Sequence, residues 1–131
     1  MSVLYEVLIR ESHLDTFGHV NNATYLSLFE EARWEWLSAK GYGFDFIQQT
    51  GLGPVILEIQ LRFQKELRLR QKIQIESQLL NYQGKIGKLK QTMWNENRDS
   101  CCVAELVFGL FDTRQRKLVA PTPEWLSAVQ I

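Results

Sequence analysis

The residues best suited to chemistry lie in one short run, Asp15 to Tyr25, with the sequence DTFGHVNNATY. This run places a carboxylate, a glycine, a histidine and two asparagines directly ahead of a strongly helical stretch. Helix N-termini carry about half a positive charge and several backbone N–H groups without intrahelical partners. An acid just before one therefore lies beside donors that could polarise an electrophile. Asp15 could be a nucleophile or general base there, although turn formation or helix capping is the commoner role of such an Asp.

Length and composition limit the possible classes of function. The chain has 131 residues, 45% of them hydrophobic, which fits one compact domain over residues 1–131. Lys plus Arg equal Asp plus Glu, so no overall field draws the protein to nucleic acid or anionic lipid. The sequence has no cationic leader and no run of eighteen apolar residues. We expect a cytoplasmic protein that binds neither nucleic acid nor membrane.

Hydrophobic periodicity predicts the elements that position this run. Apolar residues at every second position near the N-terminus predict a half-buried strand over about 3–12. Asn21 or Asn22 can cap the helix, which we expect to begin there and to extend to about Lys40, just before Gly41. This helix is apolar over more than half of its girth, so a single flat sheet face would not cover it.

The second half of the chain has the period of strands. Alternation predicts four of them, joined by short turns, over about 55–64, 73–79, 89–94 and 102–111. A strongly twisted antiparallel sheet can curl around an apolar helix. The order β-α-β-β-β-β therefore predicts an α+β protein of hotdog fold, in which a five-stranded sheet wraps a long central helix.

The same run carries a resemblance to a known family. Asp15, the segment GHVNN over 18–22, Tyr25 and the segment FEEAR over 29–33 resemble the signature of the 4-hydroxybenzoyl-CoA thioesterase-like hotdog family. Within that family, the segments at 13–15, 19–23 and 30–34 are most similar to the bacterial long-chain acyl-CoA thioesterase III group.

The resemblance implies an activity and a set of catalytic residues. It implies hydrolysis of a medium- or long-chain fatty acyl-CoA, without a cofactor, in a site shared by two subunits of a homodimer or homotetramer. Asp15 would attack the thioester carbonyl or activate water, and the backbone amide of Asn22 would polarise that carbonyl. A hotdog dehydratase is one rival function. A non-catalytic acyl-CoA-binding protein is another, and release of free thiol would distinguish it.

Candidate substrate-binding residues fall into two groups. His19 and Tyr25 belong to the signature, although His19 could equally be a histidine packed at a helix start. The second group is a basic turn that could hold the phosphates of CoA, or could consist only of solvated charges; its members are Arg62, Lys65 and Arg68, with Arg70 and Lys72 nearby. The chain departs from many relatives here, since Glu66 and Arg70–Gln71 replace a Pro and a Gly-Asp pair.

Other candidate sites are weaker. A metal site would need Asp15, His13 and His19 to converge with a further ligand, and we expect no metal. The adjacent Cys101 and Cys102 lack the spacing of a disulfide framework, and strand packing explains them better than catalysis does. The apolar segment after the helix, at 42–47, could cap the core or line an acyl tunnel.

Overall fold

A long helix lies across one face of an antiparallel sheet in the computed structural model, which describes residues 2–130. The predicted order of one strand, one long helix and four further strands is present. The strands are β1 (Val3–Leu8), β2 (Leu52–Phe63), β3 (Lys72–Gln83), β4 (Ile86–Trp94), β5 (Ser100–Asp112) and β6 (Lys117–Val119). The helices are α1 (Asn22–Ala39), α2 (Phe44–Thr50) and α3 (Pro123–Val129), and a 3₁₀ turn covers Glu11–His13.

The sheet has six strands rather than the five predicted. Its order is β1-β3-β4-β5-β2, and the short β6 pairs with residues 110–112 of β5. β4 pairs with β5 only as far as Phe108, so β6 occupies the space beyond the end of β4. β1 and β2 form the two edges of the sheet, and all pairings are antiparallel.

Local capping residues determine where α1 begins and ends. The Asn21 side chain accepts a hydrogen bond from the N–H of Ala23 at 2.8 Å, as predicted for an N-cap asparagine. At the other end Gly41 has φ +80°, and the N–H of Tyr42 donates to Leu37 O at 2.8 Å. This is a Schellman arrangement, which satisfies carbonyls that the helix itself leaves free.

The core lies between α1 and the sheet. The buried residues of α1 are Tyr25, Leu28, Phe29, Ala32, Trp36 and Leu37, and the helix packs nearest to β1 and β3. The unpredicted α3 closes one end of this core, where the indole N–H of Trp125 donates to Tyr82 Oη at 3.0 Å. The segment after α1 contributes to the same end, since Tyr42 is buried and Phe46 packs edge-on against it at 4.7 Å. Phe44, by contrast, is 71% exposed.

One buried polar side chain ties the helix to the sheet. Gln91 of β4 is fully buried and uses its amide N–H groups on Phe29 O and Ser77 Oγ, both at 3.0 Å. Its Oε1 accepts from Nη1 of Arg33 at 3.0 Å. Each partner would lose its hydrogen bond if Gln91 were truncated, and an unsatisfied buried polar group is destabilising.

We therefore expect Gln91→Ala to lower the free energy of unfolding by roughly 2 to 4 kcal/mol, because one change unpairs several groups and leaves a cavity. Urea unfolding measures the difference. Gln60→Ala removes the same side chain from an exposed position on β2 and should change stability by less than about 0.5 kcal/mol. Equal stability of the two variants would show that the Gln91 hydrogen bonds contribute no net stability.

Candidate active site

Asp15 is held in a tight turn just before α1. Its Oδ1 accepts hydrogen bonds from the backbone N–H groups of Phe17 at 2.9 Å and His19 at 3.0 Å. The backbone closes the turn through Asp15 N–H to His19 O at 2.7 Å, with Gly18 at φ +79°. A side chain at Gly18 would be strained because left-handed backbone disfavours any Cβ. Asp15 Oδ2 makes no hydrogen bond to the residues that the structure describes, so one carboxylate oxygen is anchored and the other has no partner among them.

The first turn of α1 follows directly. Asn22 is its first residue and is exposed, and Asn21 caps the N–H of Ala23. The N–H of a first helical residue has no intrahelical acceptor. Within residues 2–130 the amide of Asn22 also has no acceptor outside the helix. It is therefore a free donor at the positive end of the helix dipole, as oxyanion stabilisation requires.

An open cleft of about 390 Å³ lies at this end of the helix. Three of the predicted site residues, His19, Asn22 and Tyr25, line it from the helix side, and Lys65 lines it from the segment after β2. Asp15 does not line the cleft itself and is connected to it through the backbone of His19. The remaining lining residues, which were not among the predicted site residues, are Val20, Phe63, Gln64 and Glu66.

Two contacts shape the cleft wall. Tyr25 packs edge-to-face on Phe63, with ring centroids 5.0 Å apart. Burial raises the pKa of Tyr25, against an opposing backbone hydrogen bond from Leu67, so its hydroxyl stays protonated at neutral pH. The exposed ring of His19 faces Glu66, with Nε2 and Oε1 3.5 Å apart. The cleft thus has an apolar wall on one side and titratable groups on the other.

The cations of the basic turn differ in whether they are paired with a carboxylate. Lys65 Nζ contacts Asp99 at 2.7 Å, and the Arg70 guanidinium binds both oxygens of Glu11 at 2.8 and 2.9 Å. Arg68 is exposed and has no carboxylate partner among the described residues. Local negative charge therefore offsets two of the cations but not Arg68.

Arg62 lies apart from the others. On β2 it alternates with Phe63, whose ring contacts Tyr25 of α1, so Arg62 is on the opposite face of the sheet. There it lies near Glu105 of the neighbouring strand. The structure therefore brings Lys65 to the cleft, but neither Arg62 nor Arg68.

The geometry does not favour a thiol nucleophile or a metal site. Burial raises the pKa of the Cys102 thiol to about 12 and also raises that of Cys101, so neither is a thiolate at neutral pH. Within residues 2–130 no three His, Cys, Asp or Glu side chains converge on a metal-sized site. None of the helices described has the length and apolarity needed to cross a bilayer.

Comparison with known proteins shows which family this chain belongs to. Residues 9–130 match the model of the thioesterase-like superfamily. The chain belongs to that superfamily. This confirms the predicted class, a thioester hydrolase, and the resemblance from which it was predicted.

Individual known proteins are similar to nearly the whole chain. The long-chain acyl-CoA thioesterase FadM of Escherichia coli is 31% identical over 116 residues, covering 88% of this chain and 87% of FadM. The crystal structure of the probable thioesterase YbaW from E. coli has a TM-score of 0.85 at 28% identity and covers 97% of this chain and 96% of its own. A Staphylococcus aureus protein solved in complex with CoA has a TM-score of 0.91 at 15% identity, with 98% and 82% covered. These likenesses confirm the hotdog fold.

The turn before β3 contains a residue with left-handed backbone. Arg70 has φ +65°, a strained angle for a side chain larger than Asn. Its N–H donates to Ile9 O at 2.7 Å, and its guanidinium is clamped by Glu11. Contacts to the segment after β1 therefore stabilise this turn.

Proposed function

We propose that this protein hydrolyses the thioester of a medium- or long-chain fatty acyl-CoA in the cytoplasm, releasing the free acid and CoA. The observation that carries the proposal is Asp15, with Oδ1 anchored by two backbone amides and Oδ2 free, just before the unpaired amide of Asn22. FadM, an acyl-CoA thioesterase of similar length, supports the choice of substrate.

The chemistry needs only these groups. Asp15 either attacks the carbonyl carbon through Oδ2 or takes a proton from a water that attacks it. Negative charge then develops on the carbonyl oxygen, where the Asn22 N–H can stabilise it. Collapse of the tetrahedral intermediate breaks the C–S bond and releases the CoA thiolate. If Asp15 is the nucleophile, water then hydrolyses the mixed anhydride and regenerates the carboxylate.

We further propose that the working site is shared between two chains of a homodimer or homotetramer. Asp15 lies outside the lining of the cleft formed by its own chain, and that cleft is open. A second chain placed along the β2 edge would enclose the space between them and exclude water from the thioester. His19, Tyr25 and Lys65 would then contact the substrate from the walls of the cleft.

Release of free thiol from acyl-CoA tests the proposal. A panel of saturated acyl-CoAs of increasing chain length should each yield free thiol and free acid. A dehydratase would change a 3-hydroxyacyl-CoA without releasing thiol, and a carrier would bind acyl-CoA and leave it intact. Either result would refute the thioesterase assignment.

The basic turn yields a prediction with a built-in control. We expect Arg68→Glu to raise KM for acyl-CoA about tenfold and to leave kcat unchanged, because a phosphate contact acts equally on ground and transition states. Arg62→Glu makes the same charge change on the outer sheet face and should have little effect. The same acyl group on a short thiol without phosphates should show no difference between the variants. If Arg68→Glu matches the wild type on acyl-CoA, the basic turn consists of solvated charges.

A further inference from the structure

Arg33 of α1 carries a positive charge that its own chain does not neutralise. The side chain is half-buried, and its Nη1 donates to the neutral amide oxygen of Gln91. Nε and Nη2 make no hydrogen bond to the described residues, yet both are accessible from outside. Partly buried guanidinium groups are usually paired with a carboxylate, but within residues 2–130 no carboxylate lies at ion-pair distance from Arg33. The accessible nitrogens can therefore bind an acceptor that comes from outside the chain.

Glu30 lies one turn before Arg33 and has the complementary charge. It is exposed, and it lines the same apolar cavity of about 120 Å³ as Arg33, between α1 and the sheet. Residues at this spacing are neighbours on a helix, but these two form no ion pair with each other. Burial lowers the pKa of Arg33, and the negative charge of Glu30 opposes that shift. The two charges therefore influence each other, while each remains available to a partner.

Apolar side chains flank the two charges on the same face of α1. Leu26 lies one turn before Glu30 and Trp34 one turn after it, and each is 40% exposed. The helix packs nearest to β1 and β3, so the sheet leaves the side toward β2 less covered. Exposed apolar residues that lie together on a surface indicate an interaction site. This face of α1 therefore has the composition of an interface.

The face lies level with the middle of the edge strand β2. Tyr25, near the start of α1, contacts Phe63 at the end of β2. Leu37, near the end of α1, shares the cavity with Pro54, near the start of β2. The helix and the strand therefore run in opposite directions, and the two charges lie about midway between these two points of contact.

A two-fold axis at the middle of β2 would bring the charges of two copies together. Copies that pair along β2 in antiparallel fashion are related by such an axis, and all twelve residues of the strand can pair only if it crosses β2 near the middle. The axis then passes beside the two charges, which are about 4.5 Å apart along α1. Because a two-fold axis reverses the order of residues in the second copy, Glu30 of each copy would face Arg33 of the other.

From these observations we propose that this face of α1 binds a second copy of the same chain, through two symmetric ion pairs between Glu30 of one copy and Arg33 of the other. Leu26 and Trp34 surround the pairs and exclude water from them, which strengthens the attraction. An anionic ligand is a poorer occupant of the face, because Glu30 would repel it. The proposal rests on the assembly along β2 that the proposed function includes, and it adds a second contact surface with a defined register.

Reversing each charge in a separate variant tests the pairing. Glu30→Arg and Arg33→Glu should each weaken self-association at least about a hundredfold, because both symmetric pairs become repulsive. One variant then has two cations at these positions and the other has two carboxylates. An equimolar mixture of the two should therefore associate to within about tenfold of the wild type. Sedimentation equilibrium of each variant and of the mixture measures the dissociation constants.

Glu35→Arg is the matched control, because it makes the same charge change on the same helix. Burial, the hydrogen bond to Glu31 and the charges of Glu31 and Glu35 raise the pKa of Tyr5 in β1, which places Glu35 on the β1 side of α1. Glu35→Arg should associate as the wild type does. In a mixture it should not restore association to Arg33→Glu.

Salt dependence provides a measurement that does not need Arg33→Glu, a variant that also loses the hydrogen bond to Gln91. Raising the salt from about 0.02 M to about 0.5 M should strengthen self-association of Glu30→Arg by screening the repulsion, and should weaken that of the wild type. Wild-type association of Glu30→Arg at low salt would overturn the proposal, as would folded variants that fail to associate on mixing. A monomeric wild type would overturn the assembly along β2 as well, whereas thiol release tests the thioesterase activity separately.

Discussion

Asp15→Asn should lower kcat for acyl-CoA hydrolysis by at least roughly a hundredfold, the scale of losing a general base or nucleophile. An asparagine retains a carbonyl oxygen that can accept the hydrogen bonds of Phe17 N–H and His19 N–H, so the turn should survive. The variant replaces the charged Oδ2 by an amide nitrogen. That nitrogen can neither attack the thioester carbonyl nor take a proton from water. Initial rates of thiol release measure the effect, and circular dichroism verifies the fold.

A structurally matched control is present in the same chain. Asp112 Oδ1 accepts hydrogen bonds from the N–H groups of Arg114 at 2.9 Å and Gln115 at 3.0 Å. As with Asp15, one carboxylate oxygen is anchored by two backbone amides, here in the turn between β5 and β6. Asp112→Asn should therefore retain near wild-type activity. Similar rates for the two variants would mean that Asp15 only shapes a turn, and the catalytic assignment would be wrong.

The main elements could be predicted because their periodicity is strong. Alternation over long stretches indicated β2 to β5, and the cap at Asn21 with Gly41 beyond the helix indicated the bounds of α1. The missed elements are short. β6 has only three residues, too few for a period to be visible, and it forms because residues 110–112 of β5 have a free side beyond β4. α3 does have a start signal, Thr122 as N-cap and Pro123 in its first turn, but its seven residues are too few for a clear helical period.

The site shows where alternation stops being informative. The alternation correctly assigns Arg62 and Phe63 to opposite faces of β2. However, β2 ends at Phe63, and the backbone N–H groups of residues 64 and 65 then both donate to Cys101 O. Gln64 and Lys65 consequently reach the cleft together, a placement that a period of two would not predict. Register shifts near Leu57 and Leu80 have the same effect on their neighbours.

The edge of the sheet at β2 differs from the edge at β1 in ways that bear on assembly. β2 has twelve residues and β1 has six. Leu57, Ile59 and Phe63 expose 47%, 37% and 52% of their surface along β2. A long edge strand with exposed apolar side chains and without protecting lysines is open to pairing with another chain. We therefore propose that two copies of this chain meet along β2, which would place the second chain beside the cleft of the first.

Ile59→Lys should convert the proposed oligomer to monomer and lower kcat about a hundredfold, because a charge on a pairing edge opposes association and the reacting groups are then misplaced. Leu57→Lys places the charge at the neighbouring bulge and should act in the same way. Leu4→Lys is the control, since Leu4 is 54% exposed on the β1 edge and should leave assembly and activity unchanged. Sedimentation velocity at micromolar concentration, with thiol release from the same samples, gives both quantities. A folded Ile59→Lys monomer with full activity would show that one chain contains the complete site, and the shared-site proposal would have to be abandoned.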